Sequence, residues 1–105
     1  MASTNVSRAL TISSVVVAAR DQVSSDLAGE AVVLSLQTGR YYGLARVAAR
    51  IWELLKTPTR VAAIRDTIVQ QFDVEPERCE RDVLTFLQQL AERGLVEISD
   101  RAPHA

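Results

Sequence analysis

The sequence predicts an α+β domain in which a three-stranded antiparallel sheet precedes three helices. Three observations carry that prediction. First, Ala31 to Leu36 is an apolar run rich in β-branched residues, broken by Gln37-Thr38-Gly39 and resumed at Arg40-Tyr41-Tyr42. A short apolar strand, a turn with a glycine and a returning strand make a hairpin. Second, the periodicity changes after Gly43: Leu44, Val47, Ala48, Ile51, Trp52 and Leu55 fall on one stripe of an α-helix. Third, two more helical stripes follow, Val61, Ile64, Ile68, Val69 and Phe72, then Cys79, Val83, Phe86, Leu87 and Leu90. With almost no linker between hairpin and first helix, sheet and helix must pack on each other.

Taken in order, residues 1–13 are rich in Ser, Thr and Ala and are expected to form a flexible tail. The folded domain is expected over residues 14–99. Val15 to Ala19 reads as the first strand, and the polar stretch from Arg20 to Glu30 reads as a loop. In the hairpin, Gly39 is suited to the positive φ of a three-residue turn with a bulge. Thr57-Pro58-Thr59 stops the first helix, because proline disfavours helical geometry at the residue before it. Thr59 is the candidate N-cap of the second helix. Pro76 suits the first position of the third, and Gly94 the left-handed residue that ends it. Leu95 to Ile98 is a final extended segment, and residues 100–105 form a second tail. Three helices with short connections make a helix-turn-helix core, and the strands supply a wing-like sheet. That architecture hosts DNA-binding and protein-binding modules alike, so fold alone does not decide function.

Composition narrows the function. The chain has 105 residues, 48% hydrophobic and only 5% aromatic, which fits one domain with an aliphatic core. Twelve basic and 13 acidic residues give a net charge of -1, whereas nucleic-acid binders neutralise phosphates with a basic surface. No run approaches the roughly 18 apolar residues of a membrane span. The N-terminus has one basic residue, Arg8, before a short apolar run at Val15 to Ala19, which argues against a secretory signal. A single cysteine excludes an internal disulfide and suits a reducing, cytoplasmic setting.

Catalytic chemistry finds little support. Cys79 lies on the apolar stripe of the third helix, and the only imidazole is His104, in the tail. A Cys–His pair would need that tail to fold back; Cys79 is better read as a small core residue. One Cys and one His do not make a metal site. Glu75, Glu77, Glu80 and Asp82 are interleaved with Arg78 and Arg81, as at the solvated start of a helix whose dipole favours acids. The expectation is a non-enzyme without metal or cofactor. Trp52 completes a core stripe. Tyr41 and Tyr42 are adjacent on a strand, so one ring enters the core while the other faces out, and an outward tyrosine is a frequent interface residue. Arg78, Asp82, Thr85 and Gln89 share one face of the third helix beside its core stripe.

Several pieces now stand together in order: Thr38-Gly39-Arg40-Tyr41-Tyr42-Gly43-Leu44, Ala49-Arg50-Ile51-Trp52, Leu54-Leu55, Asp73-Val74, Asp82-Val83, Phe86-Leu87, Leu90 and Gly94-Leu95-Val96. Over residues 15–98 the chain resembles the PqqD-like family, the leader-peptide recognition domains of ribosomally made, post-translationally modified peptides. Members often carry Asn or Asp where Ala45 stands, and Gly where Ala48 stands. The resemblance implies a winged helix-turn-helix-like fold that acts as a chaperone for its peptide. The precursor's leader adds as a strand to the edge at Arg40 to Gly43, and its side chains enter a groove against the third helix. It implies peptide-binding roles for Val33, Leu36, Arg40, Tyr41, Tyr42, Gly43, Arg78, Asp82, Thr85, Phe86 and Gln89. It also implies a separate maturation enzyme, such as a leader peptidase, cyclase or radical enzyme, in a lasso-peptide type of pathway. A short edge strand fits a monomer or an edge-paired dimer. The competing reading is a winged-helix DNA-binding regulator. It asks for a basic third helix, but Glu75 to Arg93 holds five acidic residues against three arginines.

Overall fold

The computed structural model describes residues 10–99. In chain order the elements are β1 (Val15–Ala18), β2 (Gln22–Leu27), β3 (Glu30–Ser35), β4 (Tyr41–Ala45), α1 (Val47–Leu54), β5 (Thr59–Arg60), α2 (Val61–Gln71), α3 (Pro76–Glu92) and β6 (Val96–Ser99). The strands form two antiparallel three-stranded sheets, ordered β2–β3–β4 and β5–β1–β6.

The expected three-stranded sheet and three helices are present, but the sheet's first member differs. The segment read as a loop, Arg20 to Glu30, contains β2, which pairs with β3 from Gln22↔Ser35 to Leu27↔Glu30. The link is a two-residue turn, Ala28 at φ 47° and Gly29 at φ 85°. Two positive φ values match the right-handed twist of a hairpin. Ala-Gly is a weak form of the Asn-Gly signal, and Gln-Val-Ser-Ser-Asp-Leu has little β propensity, so composition hid the strand. Val15–Ala18 instead joins β6, with Val16↔Ile98 and Ala18↔Val96, and takes β5 on its other side. The last strand of the domain is thereby tied to the first. Leu10 to Ser14, assigned above to a tail and its junction, are also held: Val61 N donates to Ser14 O at 2.9 Å and Ala62 N to Ile12 O at 3.0 Å. The remaining tail positions, and His104, lie outside the described residues.

The first helix starts later than its stripe suggests. Leu44 belongs to β4 and faces inward from the sheet, half-buried against the core, because an inward strand residue just before a helix continues the same apolar surface. Arg46 caps α1 at φ 58°, ψ -118°, a conformation that costs a non-glycine residue about 1–3 kcal/mol. Thr59 is not the cap of α2, whose N-cap is Arg60. Its hydroxyl donates to Leu54 O at 3.0 Å and Thr57 O at 2.8 Å, closing α1. At the end of α3 the expectation for Gly94 holds at φ 74°. Gly94 N donates to Ala91 O at 3.0 Å and Leu95 N to Leu90 O at 2.9 Å, the paired bonds of a Schellman motif.

The core is aliphatic around one tryptophan. Trp52, Leu55, Ile64, Ile68, Leu87 and Leu95 are fully buried with Val16 and Val33. From α3, Cys79, Val83, Leu87 and Leu90 are buried; full burial of an aliphatic side chain contributes about 1.5–3 kcal/mol. Arg65 on α2 reaches Glu80 on α3 at 2.8 Å and its own neighbour Asp66 at 3.0 Å, and Lys56 meets Asp26 on β2 at 2.8 Å.

Two stability changes are expected. Leu87→Ala should lower unfolding free energy by about 2–5 kcal/mol through the cavity it leaves. Arg46→Gly should raise it by roughly 1 kcal/mol, since relief of the strained φ exceeds glycine's added chain entropy. Urea denaturation of the two variants checks both signs.

Candidate functional site

β4 is an edge strand, last in the order β2–β3–β4. Its register with β3 runs from Leu34↔Tyr41 to Glu30↔Ala45. Two bonds beyond the ends set the phase of the ladder: Ser35 N donates to Arg40 O at 2.9 Å, and Arg46 N to Gly29 O at 3.1 Å. In an antiparallel pair, hydrogen-bonded and non-hydrogen-bonded positions alternate. Arg40, Tyr42, Leu44 and Arg46 therefore turn their backbone groups toward β3. Tyr41, Gly43 and Ala45 turn theirs outward, where no strand among the described residues accepts them. The chain offers three N–H and three C=O groups, at alternate residues, to an added strand.

Successive side chains along β4 alternate between the two faces of the sheet. Tyr41 is 71% exposed on the outer face, level with Leu34 and Val23. Tyr42 is half-buried on the inner face, and the Arg93 guanidinium lies 5.6 Å from its ring centre, within cation–π range. Of the two tyrosines one faces in and one out, as the alternation requires. A methyl group on Gly43 would meet nothing within 4 Å, so the fold leaves open space above the edge.

The C-terminal end of α3 thus lies against Tyr42. Its N-terminal half faces Val47, just past β4, so α3 runs alongside β4 in the opposite direction. Just past the end of β4, between α1, the α2–α3 connection and the N-terminal half of α3, lies an open groove of about 740 Å³. Val47, Ala48, Ile51, Cys79, Val83 and Phe86 supply its apolar lining; Asp73, Glu75, Arg78 and Asp82 supply its charge. Arg78 Nε and Asp82 Oδ2 are 3.9 Å apart with both side chains about three-quarters exposed, so the pair is loose and screened by water. Burial pushes the Cys79 thiol up from its ordinary range, helped by the charge of Asp82. Its Sγ lies 3.9 Å from Arg65 O, and it is a neutral, packed group. Among the described residues no three His, Cys, Asp or Glu side chains cluster as metal ligands, and no helix is long and apolar enough to cross a membrane.

The residues singled out from sequence divide. Tyr41, Tyr42 and Gly43 lie on β4, with Arg40 exposed just before it and Leu36, 57% exposed, in the preceding loop. Val33 is fully buried opposite Tyr42, so it supports that ring from within and offers no surface. Arg78, Asp82 and Phe86 line the groove, whereas Thr85 and Gln89 line a separate depression of about 420 Å³ with Leu10, Leu84, Gln88 and Glu92. The four-residue polar stripe follows the crest of α3, and its two halves tip to opposite flanks. Sequence reasoning missed Asp73, Val74 and Glu75, whose only signal was their place next to a helix start, and missed Ala45 as an edge residue.

Compared with known proteins, the sequence profile described as coenzyme PQQ synthesis protein D (PqqD) matches residues 30–96, more than half of the chain. The chain belongs to the PqqD family. The family match spans β3, β4 and all three helices and leaves β1 and β2 outside it. The structure of TbiB1 in complex with the TbiA(beta) leader peptide is 37% identical, with a TM-score of 0.72 over 82% of this chain and 98% of that chain. A lasso peptide synthetase B1 complexed with the leader peptide is 22% identical, with a TM-score of 0.69 over 78% of this chain and 96% of that one. The solution structure of the PqqD truncation of Methylobacterium extorquens PqqCD, a stand-alone recognition element for ribosomally synthesised and post-translationally modified peptides, is 24% identical, with a TM-score of 0.69 over 85% of this chain and 95% of that one. The last two likenesses bear on the PqqD fold alone. No curated protein matches the chain.

The ladder phase has a direct readout. In amide hydrogen exchange of the free protein, the N–H groups of Tyr42 and Leu44 should be protected and those of Tyr41, Gly43 and Ala45 should exchange fast. Protection of the second set would place β4 inside a sheet.

Proposed function

We propose that this chain binds the leader segment of a ribosomally made precursor peptide by strand addition to β4 and holds it for a separate maturation enzyme. The observation that carries the reading is the free edge of β4, with three alternate residues presenting backbone groups outward, next to an apolar groove that opens past the strand's end against α3. Strand addition draws affinity from main-chain hydrogen bonds and specificity from pockets for alternate side chains, and this edge supplies both. Family membership supports it, as does the 37% identical relative whose structure contains a leader peptide.

The domain's own part is binding and positioning. The peptide's outward groups would pair with Tyr41, Gly43 and Ala45. Its inward side chains would meet Tyr42 and the groove at Phe86, Arg78 and Asp82. Val33 and Leu44 hold β4 against the core, so the edge is presented on a rigid strand. The partner enzyme, a leader peptidase, cyclase or radical enzyme, would act on the core peptide that follows, in a pathway of the lasso type and in the cytoplasm.

Peptides selected from a displayed library of linear sequences should bind in the nanomolar to micromolar range, about -8 to -12 kcal/mol. In an amide-resolved NMR titration their shifts should concentrate on residues 32–45 and 78–93. Gly43→Pro removes one outward N–H at an edge, where proline is tolerated. It should weaken binding at least about tenfold, roughly 1.4 kcal/mol, while the free domain stays folded. Shifts confined to α2 would refute the site.

A further inference from the structure

The groove and the surface that continues along α3 toward the start of β4 carry opposite charge at their two ends. At the end where β4 begins, Arg40 precedes the strand and Arg93 lies over Tyr42. Among the described residues no carboxylate pairs with either. At the other end, Asp73, Glu75 and Asp82 line the groove with one arginine, Arg78, so three carboxylates face one guanidinium. The rest of the groove lining is largely apolar, with Val47, Ile51 and Phe86. The helix dipole accounts for an acid at Glu77 in the first turn of α3. It does not account for Asp82, further along the helix, or for Asp73 in the connection, since the effect falls off within one turn. Nor does it account for Arg40, which belongs to a loop.

We infer that the groove and the adjoining start of β4 together select an extended peptide by the order of its charges: acidic beside Arg40 and Arg93, apolar over Val47, Ile51 and Phe86, and basic beside Asp73, Glu75 and Asp82. This rests on the peptide-recognition reading above and adds to it the class of segment recognised and the way it lies. Helix α3, with 17 residues, is about 25 Å long at roughly 1.5 Å per residue. An extended segment of about eight residues, at roughly 3.3 Å each, covers that length. Edge pairing alone does not orient such a segment, because a strand can join β4 parallel or antiparallel. Charge order breaks the tie: a segment laid the wrong way sets its acids against Asp73 and Asp82 and its bases against the two arginines. Arg93 is well suited to its end, because a guanidinium over an aromatic ring stays weakly hydrated and still presents a fork to a carboxylate.

The test uses one core sequence taken from a library-selected binder, synthesised as two peptides. One has Glu-Glu before the core and Lys-Lys after it, and the other has these flanks exchanged. Fluorescence anisotropy at low ionic strength should show one peptide binding about tenfold more tightly, the sum of several exposed ion pairs. The preference should shrink at about 0.5 M salt, where screening is nearly complete within a few ångströms. It should invert for a chain carrying Arg40→Glu, Arg93→Glu, Asp73→Lys and Asp82→Lys, all at exposed positions. If that variant unfolds, Asp73→Asn with Asp82→Asn provides a milder check and should reduce the preference. Equal affinity for the two peptides, or a preference unchanged in the variants, overturns the charge-order inference and leaves peptide recognition standing. Failure of the wild-type chain to bind either peptide or the parent binder overturns both.

Discussion

The burial of one stripe of α3 governs the rest of the molecule. Cys79, Val83, Leu87 and Leu90 must leave water, and the surface that takes them is the inner face of β3 together with α1 and α2. Once those four side chains are in place the helix cannot rotate. Its flank carrying Arg78, Asp82 and Phe86 is then fixed opposite α1 and the α2–α3 connection, with a gap that no other segment among the described residues fills. The Schellman turn at Gly94 keeps the far end in register. It sends the chain directly into Leu95, fully buried, and then into β6. The groove follows from packing elsewhere: α3 is held by its core stripe, and the adjoining flank is left open.

The two sheets divide the work. The sheet β5–β1–β6 ties the N-terminal strand to the C-terminal one, and Ala18 N and Ala19 N reach Leu55 O at 2.8 Å and Leu95 O at 2.9 Å. This sheet anchors the end of α1 and the exit from α3. The sheet β2–β3–β4 lies over the core with its inner residues Ala31, Val33 and Ser35 buried, and leaves its outer face and the β4 edge to solvent. A strand edge is normally an aggregation risk. Here the edge is short, five residues, and flanked by Arg40 and Arg46, which limits pairing with another copy while leaving room for a single peptide strand.

Strain at Arg46 belongs to the same economy of space. The chain passes from the last strand residue to the first helical turn in one residue, and that residue alone absorbs the change of direction. The tight junction brings Val47 and Ala48 to the groove wall instead of leaving a loop there. The methyl of Ala48 adds to the apolar lining of the groove.

Local pattern was enough for the three helices, for the β3–β4 hairpin, for β6 and for the caps at Pro76 and Gly94, because each depends on residues within a turn or two of one another. The same holds for the split of Tyr41 and Tyr42 between two faces, which strand geometry dictates. Tertiary structure alone decided the rest. β2 has too little apolar character to announce itself, and it is a strand because β3 offers it a complete ladder. Leu44 satisfies a helical stripe and an inward strand position equally well, and only the reach of β4 along β3 chose between them. Val33, given a peptide-binding role by the family resemblance, is claimed by the core. Thr85 and Gln89 share a helix face with Arg78 and Asp82 in projection, yet they tip to the other flank, because the groove's far wall comes from α1 and the α2–α3 connection, distant in sequence from all four. Periodicity reports which side of an element is apolar; which neighbour covers that side, and where the cover stops, is set by long-range packing.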